Sequence, residues 1–169
     1  MRRRLLSFPH DDMVEYRITK YDPAYRDPTG AYLLDTWTSR LDIGKVFNGA
    51  LLTPKEYERV EEAYIATAVA FLQECGCTAL TVNSLEYHST SLSHRDGDRL
   101  SLPQIAEAIR DMLREEYWCR LESSDAFIHI GHDYYMYLGV MKNCPNAIAF
   151  ACENGLFVEP FKSPYKALD

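Results

Sequence analysis

The stretch that decides the fold is residues 117–161, YWCRLESSDAFIHIGHDYYMYLGVMKNCPNAIAFACENGLFVEPF. Tyr117 to Leu121, Ala126 to Ile130 and Tyr134 to Val140 are rich in β-formers, with Gly131-His132-Asp133 as a turn, and predict a meander. Ala147 to Cys152 and Leu156 to Phe161 flank Asn154-Gly155, and an Asn-Gly pair between apolar runs is the strongest short hairpin signal. About five strands clustered in this way call for a largely antiparallel sheet.

Working outward, two helices are expected to cover that sheet. Thr53-Pro54-Lys55-Glu56 has the form of a capping box, with proline where a missing N–H costs nothing. Tyr57, Val60, Tyr64, Ala68 and Phe71 then recur at helical spacing, and Gly76 ends the run. Ser101-Leu102-Pro103-Gln104 opens a second helix with Ile105, Ile109, Met112 and Leu113 on its apolar face. Residues 14–21 and Ala79 to Tyr87 read as further strands. The expected fold is a single α+β domain, with a sheet of about six or seven strands packed against two helices. Asp22 to Leu52 is a long irregular stretch with Asp22-Pro23, Asp27-Pro28, Thr29-Gly30 and Asn48-Gly49 turn signals, and such loops often carry function.

Eighteen Lys and Arg against 25 Asp and Glu give a net charge of −7. A nucleic-acid binder needs a basic face, so that class is disfavoured. The uncharged runs are about half the roughly 20 residues that span a bilayer, so no membrane association is expected. Residues 1–12, with Arg2, Arg3 and Arg4, read as a basic arm without the apolar core of a secretory signal. The domain proper is expected over residues 13–169. Without the arm, 15 basic residues face 23 acidic ones, a net of −8. Five cysteines without secretory context point to free thiols in a reducing cytoplasm.

No catalytic motif stands out. His129-Ile130-Gly131-His132 has the letters of a class I aminoacyl-tRNA synthetase signature. It is followed by a strand-like run, and the chain has no room for the catalytic domain. His129, His132 and Asp133 could ligate a metal, although a turn fixes them poorly and strand alternation separates the two histidines. His88 and His94 flank a polar loop with Asp96-Gly97-Asp98, a fragment of a calcium loop that lacks its later ligands. No cofactor is expected.

The aromatic content is the more distinctive signal. Tyr135 and Tyr137 share one strand face, Tyr134 and Met136 the other. Glu61 lies beside the apolar stripe of the first helix. The segments Ile18-Thr19-Lys20-Tyr21, Trp37-Thr38-Ser39 with Asp42-Ile43-Gly44, Trp118-Cys119-Arg120-Leu121-Glu122-Ser123, Asp133-Tyr134-Tyr135-Met136-Tyr137 and Gly155-Leu156-Phe157-Val158-Glu159 together resemble a family of small bacterial proteins of about this length. The resemblance covers the chain from Met13 and carries no mechanism. In size and acidity the chain is also similar in character to toxin-immunity proteins. That likeness implies an acidic binding or inhibitory protein with a basic protein partner. Trp37, Glu56, Glu58, Glu61, Glu62, Asp133, Tyr135 and Tyr137 are the expected contact residues. Two alternatives stay open: a small metal-dependent hydrolase built on His129, His132 and Asp133, and a homo-oligomeric structural or regulatory domain, for which a homodimer is one form.

Overall fold

Thr53 and Pro54 start the longest element. In the computed structural model, which describes residues 12–87 and 94–166, Thr53 Oγ1 accepts the Glu56 N–H at 3.1 Å. Helix α1 then runs Pro54–Cys75 and stops at Gly76, whose φ of 77° is the left-handed conformation that glycine adopts freely. Helix α2 spans Leu102–Leu113; Gln104 Oε1 accepts the Ser101 N–H at 2.9 Å, the reciprocal half of a capping box. The basic arm expected at residues 1–12 lies, but for Asp12, outside the described residues, as does His88.

The strands are β1 (Val14–Thr19), β2 (Val46–Phe47), β3 (Ala50–Leu51), β4 (Ala79–Tyr87), β5 (Arg99–Ser101), β6 (Tyr117–Glu122), β7 (Ala126–Ile130), β8 (Met136–Val140) and β9 (Phe157–Pro160). Seven of them form one antiparallel sheet in the order β5-β4-β6-β7-β8-β1-β9, while β2 and β3 pair as a separate hairpin. This is a single α+β domain. Among the described residues no helix is long and apolar enough to cross a membrane.

The Asn154-Gly155 hairpin is not formed. Residues Pro145–Glu153 are a third helix, α3, and Gly155 (φ 80°) sits just past its end. The Leu156 N–H reaches back to Ala151 O at 2.9 Å, closing the helix with a left-handed glycine. Asn-Gly serves a tight hairpin and a helix stop equally well, because both need positive φ. Pro145 in the first turn and the small, helix-favouring Ala147, Ala149 and Ala151 settle the choice. The hairpin falls instead at Asn48-Gly49 (φ 47° and 78°), between β2 and β3. Tyr134 also leaves the expected strand: with Asp133 it turns left-handed (φ 64° and 57°) before β8 begins.

The two faces of the sheet differ in chemistry. One packs against the helices through Ile18, Val82, Leu121, Ile128, Met136 and Leu138, all buried with Phe71, Leu72 and Ile109. On the other face the register lines up Glu15, Arg17, Tyr137, Phe127, His129, Arg120, Glu122 and Asn83. Segment 161–166 lies over that second face. Phe161 and Tyr165 pack on Tyr137, Ser163 meets His129, and Lys166 pairs with Glu15.

Candidate functional site

Glu61, at the foot of the apolar stripe, is fully buried. Arg114 grips it with two bonds, Nε to Oε2 at 2.9 Å and NH2 to Oε1 at 2.7 Å, and Arg110 NH1 reaches Oε1 at 2.9 Å. The Tyr57 hydroxyl donates to Oε2 at 2.7 Å and itself accepts from Tyr134 at 2.5 Å. Burial alone would raise this carboxyl; the bonds from Arg114, Tyr57 and Arg110 together outweigh it and hold it below the usual range. Burial keeps the Tyr57 and Tyr134 phenols protonated far above neutrality. This ion cluster ties α1 to α2 and to Arg114 just beyond its end.

Trp37 roofs this cluster, with ring centroids 5.5 Å from Tyr57 and 5.0 Å from Tyr134. It is buried rather than presented. The other helix carboxylates are not a uniform acidic face. Glu56 is held by Arg59 at 2.7 Å and Glu62 by Arg110 at 2.6 Å, whereas Glu58 is exposed. Asp133 is exposed in its turn. Tyr135 and Tyr137 lie on the sheet's second face, Tyr137 buried under Phe161 and Tyr165, and Tyr135 joined to Arg26 NH1 at 2.8 Å. The expected contact residues are therefore spread over two faces and partly enclosed; Glu61 and Glu62 share Arg110, and Trp37 and Glu56 line one hollow.

On the second face, His129 Nδ1 lies 2.7 Å from Ser163 Oγ, and its Nε2 lies 2.9 Å from Glu122 Oε1. Asn83 and Arg120 also approach Glu122. Burial pushes the Glu122 carboxyl up, but His129 and Arg120 reverse this and hold it low. The arrangement has the composition of a hydrolase triad. Ser163 is buried, however, its Oγ also accepts the Tyr165 N–H at 3.2 Å, and it lines none of the cavities described below. We therefore assign it the tether of segment 161–166. His132 and Asp133 lie in an exposed turn while His129 is enclosed on β7. Among the described residues no group of three His, Cys, Asp or Glu side chains could hold a metal ion.

Three cavities among the described residues bear on function. The largest of these three, about 570 Å³, is walled by Trp118, Tyr165, Tyr117 and Met112, with Glu86, Glu115 and His132 also on its lining. Those three are exposed, and no hydrogen bond joins them to one another among the described residues. The second, about 250 Å³, is a hollow between the β2–β3 hairpin and the start of α1. Tyr32, Leu34, Trp37, Phe47 and Leu51 give it apolar walls, and Asp35 and Glu56 supply its only charges. The third, about 190 Å³, lies across Thr36, Trp37 and Glu56 from it and contains Lys20.

The most exposed aliphatic side chains among the described residues fall on segment 33–51. Leu41 is 81% exposed, Leu33 64%, Val46 61% and Leu51 57%. Val46 and Leu51 are cross-strand partners in the hairpin, and Leu51 also lines the hollow. The long stretch 22–52 was legible as an irregular loop, but the exposure of its aliphatics carried no signal in the sequence, because exposure is a tertiary property. Compared with protein-family models, curated proteins and solved structures, the chain gives no significant match.

Proposed function

We propose that this chain is a protein-binding module of the inhibitory, immunity type, which docks a basic partner on the arm formed by residues 33–51. The observation that carries the reading is the set of exposed aliphatics Leu33, Leu34, Leu41, Val46 and Leu51 on one segment, two of which, Leu34 and Leu51, line a hollow whose charged lining residues are Asp35 and Glu56. Scattered exposed leucines mean little, but several on one segment beside an aromatic-floored hollow form a docking patch. An apolar partner side chain would fill the hollow against Trp37. Asp35 and the net charge of −7 would steer a basic surface toward it, Glu56 being already paired with Arg59.

A photo-cross-linker at Leu41, compared with one at Glu107 on α2, tests this in the native host. The expected result is a stoichiometric basic protein captured at Leu41 only, weakened by salt and lost in the Val46→Asp/Leu51→Asp variant while its thermal midpoint holds. Capture of a second copy of the chain, or of nothing, overturns the reading; the former would establish the homodimer instead.

A further inference from the structure

β1 delivers Lys20 to a place that holds its backbone firmly and gives its amine no counter-charge. The Lys20 N–H donates to Tyr64 Oη at 2.7 Å. Its Nζ lies 3.0 Å from Thr36 Oγ1, and 4.2 Å and 4.3 Å from the ring centroids of Trp37 and Tyr21. Among the described residues no carboxylate stands within ion-pair distance of it. Asp42 acts on it from further off, with its oxygens already engaged by Lys45 and by the Thr38 and Ser39 amides. Glu56 and Arg59, which line the same cavity, are paired with each other. A half-buried lysine with this environment is unusual, since enclosed charges are normally paired. The cavity it enters, about 190 Å³, has the liquid volume of about six waters.

We propose that Lys20 is a carbonyl-reactive site, whose Nζ forms an imine with a small aldehyde or ketone held in this cavity. The Nζ lone pair adds to the carbonyl carbon, and the C=O π pair moves to oxygen. One amine proton passes to that oxygen, giving a carbinolamine. Loss of the hydroxyl with the remaining N–H proton, as water, leaves the C=N bond. The step needs no oxidant or reductant, and water reverses it. Geometry supplies the enclosed amine, the pocket and the aromatic walls. Burial adds the chemical competence, lowering the amine to about 7 against the opposing pull of Asp42. An ordinary lysine at pH 7 is neutral in only about one molecule in 2,500. The Tyr21 phenol beside it stays protonated and adds no charge.

The two aromatic faces would equally hold an ammonium, and reductive labelling separates the two states. The full chain is treated with acetaldehyde and cyanoborohydride between pH 6 and 10, and initial ethylation rates are read per lysine by peptide mass spectrometry. At pH 7 Lys20 should label at least about tenfold faster than the exposed Lys55, with a rate that levels off above about pH 8. A pyrene aldehyde, too large for the cavity, should label Lys55 and spare Lys20. Equal rates at Lys20 and Lys55 at pH 7, or labelling of Lys20 by the pyrene compound, overturn the proposal. Neither outcome bears on the docking arm, which is tested with different residues.

Discussion

Replacing Glu61 by glutamine tests whether the buried ion cluster holds α1 against α2. The side chain is fully buried, while its partners Arg110 and Arg114 keep 23% and 26% of their side-chain exposure. An exposed pair would contribute about 0.2–1 kcal/mol. Removing one member of a buried pair costs about 3–5 kcal/mol, because a charge is left without its counter-ion. Here the two guanidiniums can turn partly to water, so we expect a loss at the low end of the buried range, about 3 kcal/mol. For a domain of this size that lowers the thermal midpoint by roughly 6–12 °C. Urea unfolding followed by the fluorescence of Trp37 and Trp118 gives the free energy directly. The acid dependence supplies an independent check. The folded carboxyl titrates below its unfolded value, so its contribution is complete above the ordinary carboxylate range and vanishes as pH falls through the folded value. Wild type and variant should therefore differ fully at pH 7 and converge in acid. A loss under 1 kcal/mol at pH 7, or a difference that persists in acid, refutes the reasoning.

Gly139 has no room for a side chain: an added Cβ would stand 2.2 Å from Phe127 Cε1. That ring is stacked on His129, so Gly139→Ala should cost about 1–3 kcal/mol in urea unfolding. Gly155→Ala meets open space but must hold φ 80°, so its cost is purely conformational, about 1 kcal/mol, seen as a slightly lower thermal midpoint. Ser163→Ala takes the hydroxyl from His129 Nδ1, which should cost about 1–3 kcal/mol and speed trypsin cleavage after Lys162.

The fold was legible wherever a local rule had one meaning. The proline-started cap at Thr53 and the stripe from Tyr57 to Phe71 called for a helix, and the successive runs of β-formers over β6, β7 and β8 called for antiparallel strands. Asn154-Gly155 had two meanings, and only the proline and alanines before it could separate them. The candidate site was less legible because its determinants are distant in sequence. Glu61 lies 49 and 53 residues from the arginines that neutralise it, and the sequence shows its charge without theirs. The Tyr135–Tyr137 face reads as a display of phenols until Phe161 and Tyr165 fold over it. Lys20 is one lysine among six in the sequence; only the packing of Trp37, Tyr21 and Thr36 around it sets it apart.

The strand order also governs when the sheet can be completed during synthesis. β1 lies between β8 and β9, with Val14 opposite Val140 and Ile18 opposite Val158. At the usual pace of translation β1 waits on the order of ten seconds for its first neighbour, and longer for its second. Until then Ile18 and Tyr16, buried in the finished domain, have no sheet to join. The strands β4 to β8 can pair as they emerge, whereas the β9 edge, and with it the second side of β1, is completed last.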